Sequence, residues 1–452
     1  MNEAWEHCKL GKYTFRIITF GCPVNQCESA ALETAMLREG YVKTEGRARI
    51  NIINSCVVTG SAAAEARRVA RKIKREDPQA LVVLAGCYPQ VYHSDLARQL
   101  PEADIIIGTK GRADLPGIIR RRDWEKSKNP VVLVRDHAPG DAFEDMHFAP
   151  GYHRVRPVIK IQEGCNEYCT YCIIRKARGK SRSLPPARVL ARVRELLEEG
   201  HREIILAGNQ LGLYGQDLGD ADLPAVVEEI SRLPYDFRIR LGYVEPMNIS
   251  ERLLETVAAN PKVCKHLYIP VQSCSDRVLK KMGRRYRAAD FTSIVHRARS
   301  LSPGLSIWTD LIVGFPGEEE EDHVVTRELI RELAPAHLHV FPYSPRPGTP
   351  AACFSGAVRP DVKRRRVEEM RNLDRQLVHS YNLSMLGREL RVLVERVAAD
   401  ERGAAAEGYA DNYVKVVIPL KGQGQGFNLA VGEFVRVKVD AVYSREVHGR
   451  VI

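Results

Sequence analysis

Cys165-x3-Cys169-x2-Cys172 places three of the chain's eleven cysteines on one short segment. Thiolates are soft ligands, and three on one loop can hold three irons of a [4Fe–4S] cubane and leave the fourth iron open. An open iron can chelate the amino and carboxylate groups of S-adenosylmethionine and pass it one electron. Two other ligand sets compete for the same loop. Structural zinc takes four protein ligands, so His153 or another residue would have to complete it. A ferredoxin-type cluster needs a fourth cysteine, and none follows at suitable spacing.

Three further cysteines each follow an apolar run: Cys22 after Thr19-Phe20-Gly21, Cys56 after Asn54-Ser55 and Cys87 after Gly86. Parallel strands present their carboxyl ends on one edge of a sheet, where ligands bind. If the runs are parallel strands, three thiols distant in sequence converge in space. The bland alternative, three buried structural thiols, requires a coincidence of position at three strand ends. Cys8, Cys27, Cys264, Cys274 and Cys353 have no partners at ligand spacing.

The elements that must position these residues can be read in outline, and the fold class is α/β. Segments 15–20, 50–54 and 80–85 read as strands, with helical patterns over 27–39 and 61–77 between them, which implies a parallel sheet wrapped by helices. Residues from about 121 to 150 read as a connector. A second series starts near Pro157, with strands expected at 157–162, 203–208, 237–242, 265–271, 305–313 and 336–342. Helices are expected after the first five, at 186–199, 223–232 and 318–333 among others. Six βα units fit a partial (β/α)6 barrel better than a closed eight-stranded one. The first cysteine loop then lies at the carboxyl end of the first barrel strand. A long charged helix is expected over 359–386. Segments 391–397, 413–419 and 434–442 follow as β-branched runs, broken by turns such as Gly422-Gln423-Gly424-Gln425-Gly426, and predict a small all-β barrel. The expected domains are 1–140, 150–384 and 385–452.

A formal net charge of +11 suggests a polyanionic partner, with nucleic acid favoured over membrane. Apolar runs such as 80–85 are strand-length, so no membrane span is expected. The N-terminal Met1-Asn2-Glu3-Ala4-Trp5-Glu6 has neither a basic head nor an apolar run, and a cytoplasmic protein is predicted. Eleven cysteines in that compartment point to metal or catalysis rather than disulfides. Arg67, Arg68, Arg71, Lys72, Lys74 and Arg75 on one helix, and the run Lys363-Arg364-Arg365-Arg366, are candidate RNA contacts against the commoner reading of solvated charge.

The cysteine loop with Tyr171 resembles the radical S-adenosylmethionine superfamily. Leu206-Ala207-Gly208-Asn209 and Asp310-Leu311-Ile312-Val313-Gly314-Phe315-Pro316-Gly317-Glu318 stand where that superfamily packs the methionyl and adenine parts of the cofactor. Both triads, the loop from Gly164 to Arg175, Gly179-Lys180-Ser181-Arg182-Ser183 and Val271-Gln272-Ser273-Cys274-Ser275-Asp276 resemble the methylthiotransferase family in that family's order. The basic terminal module resembles a TRAM domain, an RNA-binding barrel. Arg175 stands where relatives usually have proline, and Cys274 where they usually have glycine.

The resemblance implies two [4Fe–4S] clusters, on Cys22, Cys56 and Cys87 and on Cys165, Cys169 and Cys172. It also implies S-adenosylmethionine as radical source and methyl donor, tRNA as partner, and an electron donor protein and a sulfur source. Thr19-Phe20-Gly21-Cys22-Pro23-Val24-Asn25-Gln26-Cys27-Glu28-Ser29 and His339-Val340-Phe341-Pro342-Tyr343-Ser344-Pro345-Arg346-Pro347-Gly348-Thr349 most resemble the branch acting on threonylcarbamoyl-adenosine in tRNA. Isopentenyl-adenosine in tRNA and a ribosomal-protein aspartate are the other branches, and an iron–sulfur RNA-binding regulator without catalysis is the alternative of another class. A threonylcarbamoyl group carries a carboxylate and calls for cations, which makes Arg175, Arg178 and Arg182 candidates. Tyr171, Gly208, Asn209, Glu245, Gln272, Asp310 and Gly314 are candidate cofactor contacts. No protein acid or base stands out.

Overall fold

The computed structural model describes residues 13–121, 129–146, 154–400, 403–420 and 429–452. Cys8, His153 and the turn at Gly422–Gly426 lie outside them. The described chain forms two compact units. One holds the described residues of Met1–Tyr152 with Gln162–Tyr168 and Cys172–Leu184; the other holds those of His153–Ile161 with Cys169–Tyr171 and Pro185–Ile452.

The first unit is built on a parallel sheet. Its strands are β1 (Thr14–Phe20), β2 (Val42–Lys43), β3 (Ile50–Ser55), β4 (Leu81–Gly86), β5 (Ile105–Ile107) and β6 (Val131–Leu133), in the order β2-β1-β3-β4-β5-β6. Every pairing is parallel. All residues of β3 and β4 are buried, as continuous apolar runs covered on both faces should be. Helix α1 (Pro23–Arg38) follows β1, α2 (Gly60–Glu76) follows β3 and α3 (Cys87–Gln99) follows β4. Helix α2 starts where Thr59 accepts the Ala62 N–H, and it buries Ala63, Ala66, Ala70 and Ile73, a stripe at helical spacing that leaves its basic residues outside. The expected connector at 121–150 contains β6. Three residues are too few to show periodicity, and only pairing with β5 makes the segment a strand. Short α4 (Leu115–Arg121) precedes it.

In the second unit, β7 (Val158–Lys160), β10 (Glu203–Ala207) and β11 (Arg238–Leu241) form one parallel sheet, and β12 (His266–Tyr268), β13 (Ser306–Val313) and β14 (His337–Pro342) form another. Parallel bridges Ile239–Val263 and Tyr243–Tyr268 link them, so six parallel strands run in chain order around a partial barrel. The small strands β8 (Gln162–Glu163) and β9 (Arg182–Ser183) pair antiparallel in the first unit and bracket the cysteine loop. Helix α5 (Ile174–Arg178) lies between them. Its successors are α6 (Pro186–Glu198), α7 (Leu223–Ser231), α8 (Glu251–Ala259), α9 (Asp276–Lys281), α10 (Ala288–Leu301), α11 (Glu320–Leu333) and α12 (Pro360–Leu383).

The chain ends in a closed five-stranded barrel of β15 (Glu389–Asp400), β16 (Gly403–Ala410), β17 (Lys415–Pro419), β18 (Phe434–Val442) and β19 (Val447–Val451). Two of these strands, β16 and β19, break the expected pattern of β-branched runs. The first is Ala- and Gly-rich, and closure of the barrel imposes its pairing.

Terminal barrel and βα barrel are pinned together inside the second unit by buried charge. Glu203 accepts from the Nε of Arg238 and of Arg240, at 2.6 Å each. The Nη groups of Arg238 then donate to the carbonyls of Arg391 and Tyr409, and those of Arg240 to Asp411 and Ala410. Burial pushes the Glu203 carboxyl up, but Arg240 and Arg238 outweigh it and hold the group down at about 2. A carboxylate held below its unfolded value contributes stability that is present above that value and lost as pH falls through the folded one. Wild type should therefore lose stability more steeply than Glu203→Gln between about pH 4.5 and about pH 2. Urea midpoints measured across that window check the expectation, and parallel curves would refute it.

Among the described residues no helix is long and apolar enough to cross a membrane.

Candidate active site

Cys22 caps the start of α1, Cys56 follows β3 and Cys87 opens α3. All three sit at the carboxyl ends of adjacent strands in the order β1-β3-β4. Their thiols feel one another. Burial pushes the Cys22 thiol up, with the Cys87 charge adding to it. Burial also lifts Cys56 to about 12, followed by the charges of Cys87 and Cys22.

Two glycines make this convergence possible. Gly21 has φ +140°, and a Cβ there would lie 2.8 Å from the Cys56 Cβ. Gly86 has φ +100°, and a Cβ there would lie 2.4 Å from Asn54 Oδ1. Asn54 donates to the Asn25 carbonyl at 2.9 Å and to Ser29 Oγ at 2.9 Å, and Cys22 Sγ donates to Asn25 Oδ1 at 3.3 Å. Among the described residues no three His, Cys, Asp or Glu side chains close to the spacing of a single ion. Metal charge would offset the burial that pushes the Cys22 and Cys56 thiols up.

Cys56 and Cys87 are buried and Cys22 is half-buried, and the second triad is more open. Cys165 and Cys169 are half-buried and Cys172 is exposed. Gly164 enters the loop at φ +78°, where a Cβ would lie 2.0 Å from the Lys180 carbonyl oxygen. The Cys165 N–H donates to the Gly179 carbonyl and the Ser181 N–H to Asn166 Oδ1, which ties the loop to the turn after α5. In the second unit, the Thr170 N–H donates to the Met282 carbonyl and the Ala351 N–H to the Thr170 carbonyl, both at 2.9 Å.

The candidate cofactor residues fall into groups within the second unit. Tyr171 and Glu245 are brought together by Arg284, a buried guanidinium that donates to Glu245 at 2.7 and 3.2 Å and to the Tyr171 hydroxyl. The Tyr171 ring meets Phe315 edge-on. Asp310 accepts from the Tyr268 hydroxyl and lies 3.2 Å from His339 Nδ1. Gln272 holds φ +66°, a strained conformation for a residue with a side chain, and its backbone N–H donates to the Asp310 carbonyl at 2.8 Å. Gly314 turns at φ +76°, and its N–H donates to Glu318 at 3.0 Å. Gly208 and Asn209 follow the end of β10 and are buried.

The three arginines near the loop do three different things. Arg175 lies 3.8 Å over the ring of Tyr168, an exposed aromatic. Arg182 is buried at the wall of a cavity of about 230 Å³ with Thr109, Lys110, His137, Asp141 and Glu163. Its Nε has no hydrogen-bond partner among the described residues. Arg178 is fully buried and takes no part in that cavity; its guanidinium is engaged by Glu28, Glu163 and Cys87.

The profile of the radical SAM superfamily matches residues 159–330, that of the uncharacterized protein family UPF0004 matches 14–108, and that of the TRAM domain matches 383–452. The threonylcarbamoyladenosine tRNA methylthiotransferase MtaB of Bacillus subtilis is 34% identical, covering 93% of this chain and 92% of the relative. Its namesake from Thermotoga maritima is also 34% identical, over 95% of both chains. The chain belongs to the radical SAM tRNA methylthiotransferases. The tRNA-2-methylthio-N(6)-dimethylallyladenosine synthase of Dictyoglomus thermophilum is 33% identical, over 97% of this chain and 98% of the relative. Among solved structures, the radical S-adenosylmethionine methyltransferase TsrM of Kitasatospora setae shares the fold, with a TM-score of 0.55, 16% identity and 75% of each chain covered.

This methylthiotransferase is thus an enzyme that works with [4Fe–4S] clusters and S-adenosylmethionine and acts on tRNA. Several of its buried residues escape a reading of the sequence. Arg284 had no signal beyond its place in Met282-Gly283-Arg284-Arg285-Tyr286. Glu28 did have one: it sits in the apolar stripe of α1 with Val24, Ala31 and Leu32, where a charge must have a buried partner. Of the basic runs, Arg366 is buried on Glu318 and Glu320, and Arg365 pairs with Glu320 and Glu369. On α2, Arg68, Lys72 and Lys74 carry ion pairs. Arg364, Arg75 and, on the terminal barrel, Arg396 and Arg436 are exposed. Cys274 is buried, and its N–H donates to Thr326 Oγ1.

Proposed function

We propose that this methylthiotransferase adds a methylthio group to carbon 2 of threonylcarbamoyl-adenosine next to the anticodon of tRNA. The observation that carries the choice of branch is the polar character of the cavity at Arg182, a buried guanidinium whose Nε has no hydrogen-bond partner among the described residues and which shares the wall with Lys110, Asp141, Glu144 and Glu163, whereas a dimethylallyl group calls for an apolar pocket. The two relatives named for threonylcarbamoyladenosine support the same branch.

Carbon 2 of adenine bears an unactivated C–H with no acidic proton for a general base, so the protein's task is to bind, orient and exclude water. When bound, the clusters and S-adenosylmethionine supply one-electron chemistry, sulfur and the methyl group. Cys165, Cys169 and Cys172 would hold one cluster, and Cys22, Cys56 and Cys87 the other. Tyr171, Gly208, Asn209, Glu245, Gln272, Asp310 and Gly314 would line the cofactor, with Arg284 setting the positions of Tyr171 and Glu245. Arg175 is a candidate tRNA contact beside Tyr168, and Arg178, fully buried on Glu28, Glu163 and Cys87, supports the N-terminal triad instead of the substrate. The functional division is 1–140, 150–384 and 385–452, the last binding tRNA. Reducing equivalents from an electron donor protein and an external sulfur source complete the reaction in the cytoplasm.

The test is turnover of the anaerobically reconstituted enzyme on two tRNA pools, one bearing threonylcarbamoyl-adenosine and the other isopentenyl-adenosine, read by nucleoside mass spectrometry. A methylthio gain confined to the first pool is expected. Gain on the second alone would overturn the branch and leave the family standing.

A further inference from the structure

Arg178 is a buried cation in contact with the N-terminal triad, held from two sides. Its Nη1 donates to Glu163 at 2.8 Å and also to Glu28, and its Nη2 donates to Glu28 Oε2 at 2.8 Å. Two carboxylates thereby fix the plane of the guanidinium. With the plane so fixed, the Nε–H has one direction to point, and it donates to Cys87 Sγ at 3.1 Å. Arg178, Glu28 and Glu163 are at most 1% exposed and Cys87 is 2% exposed. A charge this dry acts on its neighbour with little screening by water.

We infer that Arg178 donates a charge-assisted hydrogen bond to the Cys87 sulfur of the N-terminal cluster and holds that cluster's reduction potential up. The inference rests on the reading of Cys22, Cys56 and Cys87 as cluster ligands. Hydrogen bonds to ligand sulfur and nearby positive charge both stabilise the reduced, more negative form of an iron–sulfur cluster. A merely structural arginine would be satisfied by Glu28 and Glu163 through its two Nη groups, with no need to aim Nε at sulfur. Arg178 stands at the end of α5, which begins two residues after Cys172, and Glu163 stands two residues before Cys165. The residues that steady the first triad are therefore carried by the segments that flank the second. Arg178 is a positioning residue, because it acts through Cys87 and touches no reacting atom.

The experiment uses full-length protein with Cys165, Cys169 and Cys172 all changed to Ala, so that only the N-terminal cluster is loaded. Iron and sulfide content report occupancy, and an EPR-monitored redox titration reports the potential of the [4Fe–4S]2+/+ couple. Adding Arg178→Gln should move the midpoint to a more negative value with the iron content kept. An unchanged midpoint at full occupancy would overturn the inference. An absence of iron from the triple variant itself would instead overturn the assignment of the N-terminal ligands. Should Arg178→Gln not fold, the same triple variant grown with 15N-labelled arginine gives a second reading. Electron spin-echo modulation from an arginine 15N is expected in the reduced cluster, and its absence counts against the contact.

Discussion

Cys169→Ala should abolish cleavage of S-adenosylmethionine, whereas Cys56→Ala should keep that cleavage and lose methylthio transfer. The two substitutions are chemically identical, so a difference in outcome assigns roles to the two triads. Cys169 belongs to the loop with an open side, half-buried and tied through Thr170 to Met282 and Ala351. Loss of its thiol leaves two ligands on one loop, too few to hold a cubane in place. Cys56 lies in the nest at the end of β3, and its sulfur accepts the Val58 N–H at 3.3 Å. Apart from its part in holding the cluster, removing that sulfur costs about 1 kcal/mol for one hydrogen bond, so the Cys56→Ala chain should remain folded. Liquid chromatography of 5′-deoxyadenosine and mass spectrometry of tRNA nucleosides read the two outputs separately. Equal cofactor cleavage by wild type and Cys169→Ala would sink the first assignment, and methylthio product from Cys56→Ala would sink the second.

Why the cysteines were legible and their supports were not follows from the range of the interactions. Phe15-Arg16-Ile17-Ile18, Ile50-Asn51-Ile52-Ile53 and Leu81-Val82-Val83-Leu84 are long enough apolar runs to announce strands, and parallel pairing then fixes which end each cysteine occupies. Ile105–Ile107 and Val131–Leu133 are three residues each, below the length at which a period can be counted. The barrel strands were visible because apolar residues recur in each and the first five are followed by helices, and the register of β13 and β14 adds nothing the sequence had to supply. Arg178 shows the limit. A five-residue helix has too few positions to define a buried face, so Arg175, Arg178 and Arg182 look alike in sequence. The carboxylate partners of Arg178 lie 15 and 150 residues away, and only the folded chain sorts the three arginines into a ring contact, a cluster contact and a cavity wall. The same holds for Arg238 and Arg240, whose acceptors are main-chain carbonyls of the terminal barrel.

Glu28→Gln should be among the most destabilising conservative changes in the first unit. The Glu28 carboxylate is fully buried and accepts from Arg112 at 2.6 and 2.8 Å as well as from Arg178. Removing one charge while keeping the shape leaves two buried guanidiniums facing Glu163, which reaches Arg178, and Glu144, which is partly exposed and reaches Arg112 at 3.3 Å. Breaking a buried pair by removing one partner costs about 3–5 kcal/mol, because the other charge stays dry and uncompensated. That is a large share of the roughly 5–15 kcal/mol that holds a domain folded. Amide exchange in β3 and β4 reports it, since those strands are buried throughout and open only with the unit. Exchange of Ile50–Ser55 amides should quicken by about two to three and a half orders of magnitude. Arg112→Met added to Glu28→Gln removes the excess cation, and part of the protection should return. Full protection in the single variant would mean that Glu28 carries no net charge in the folded protein. In that case the pairing around Arg178 would rest on Glu163 alone.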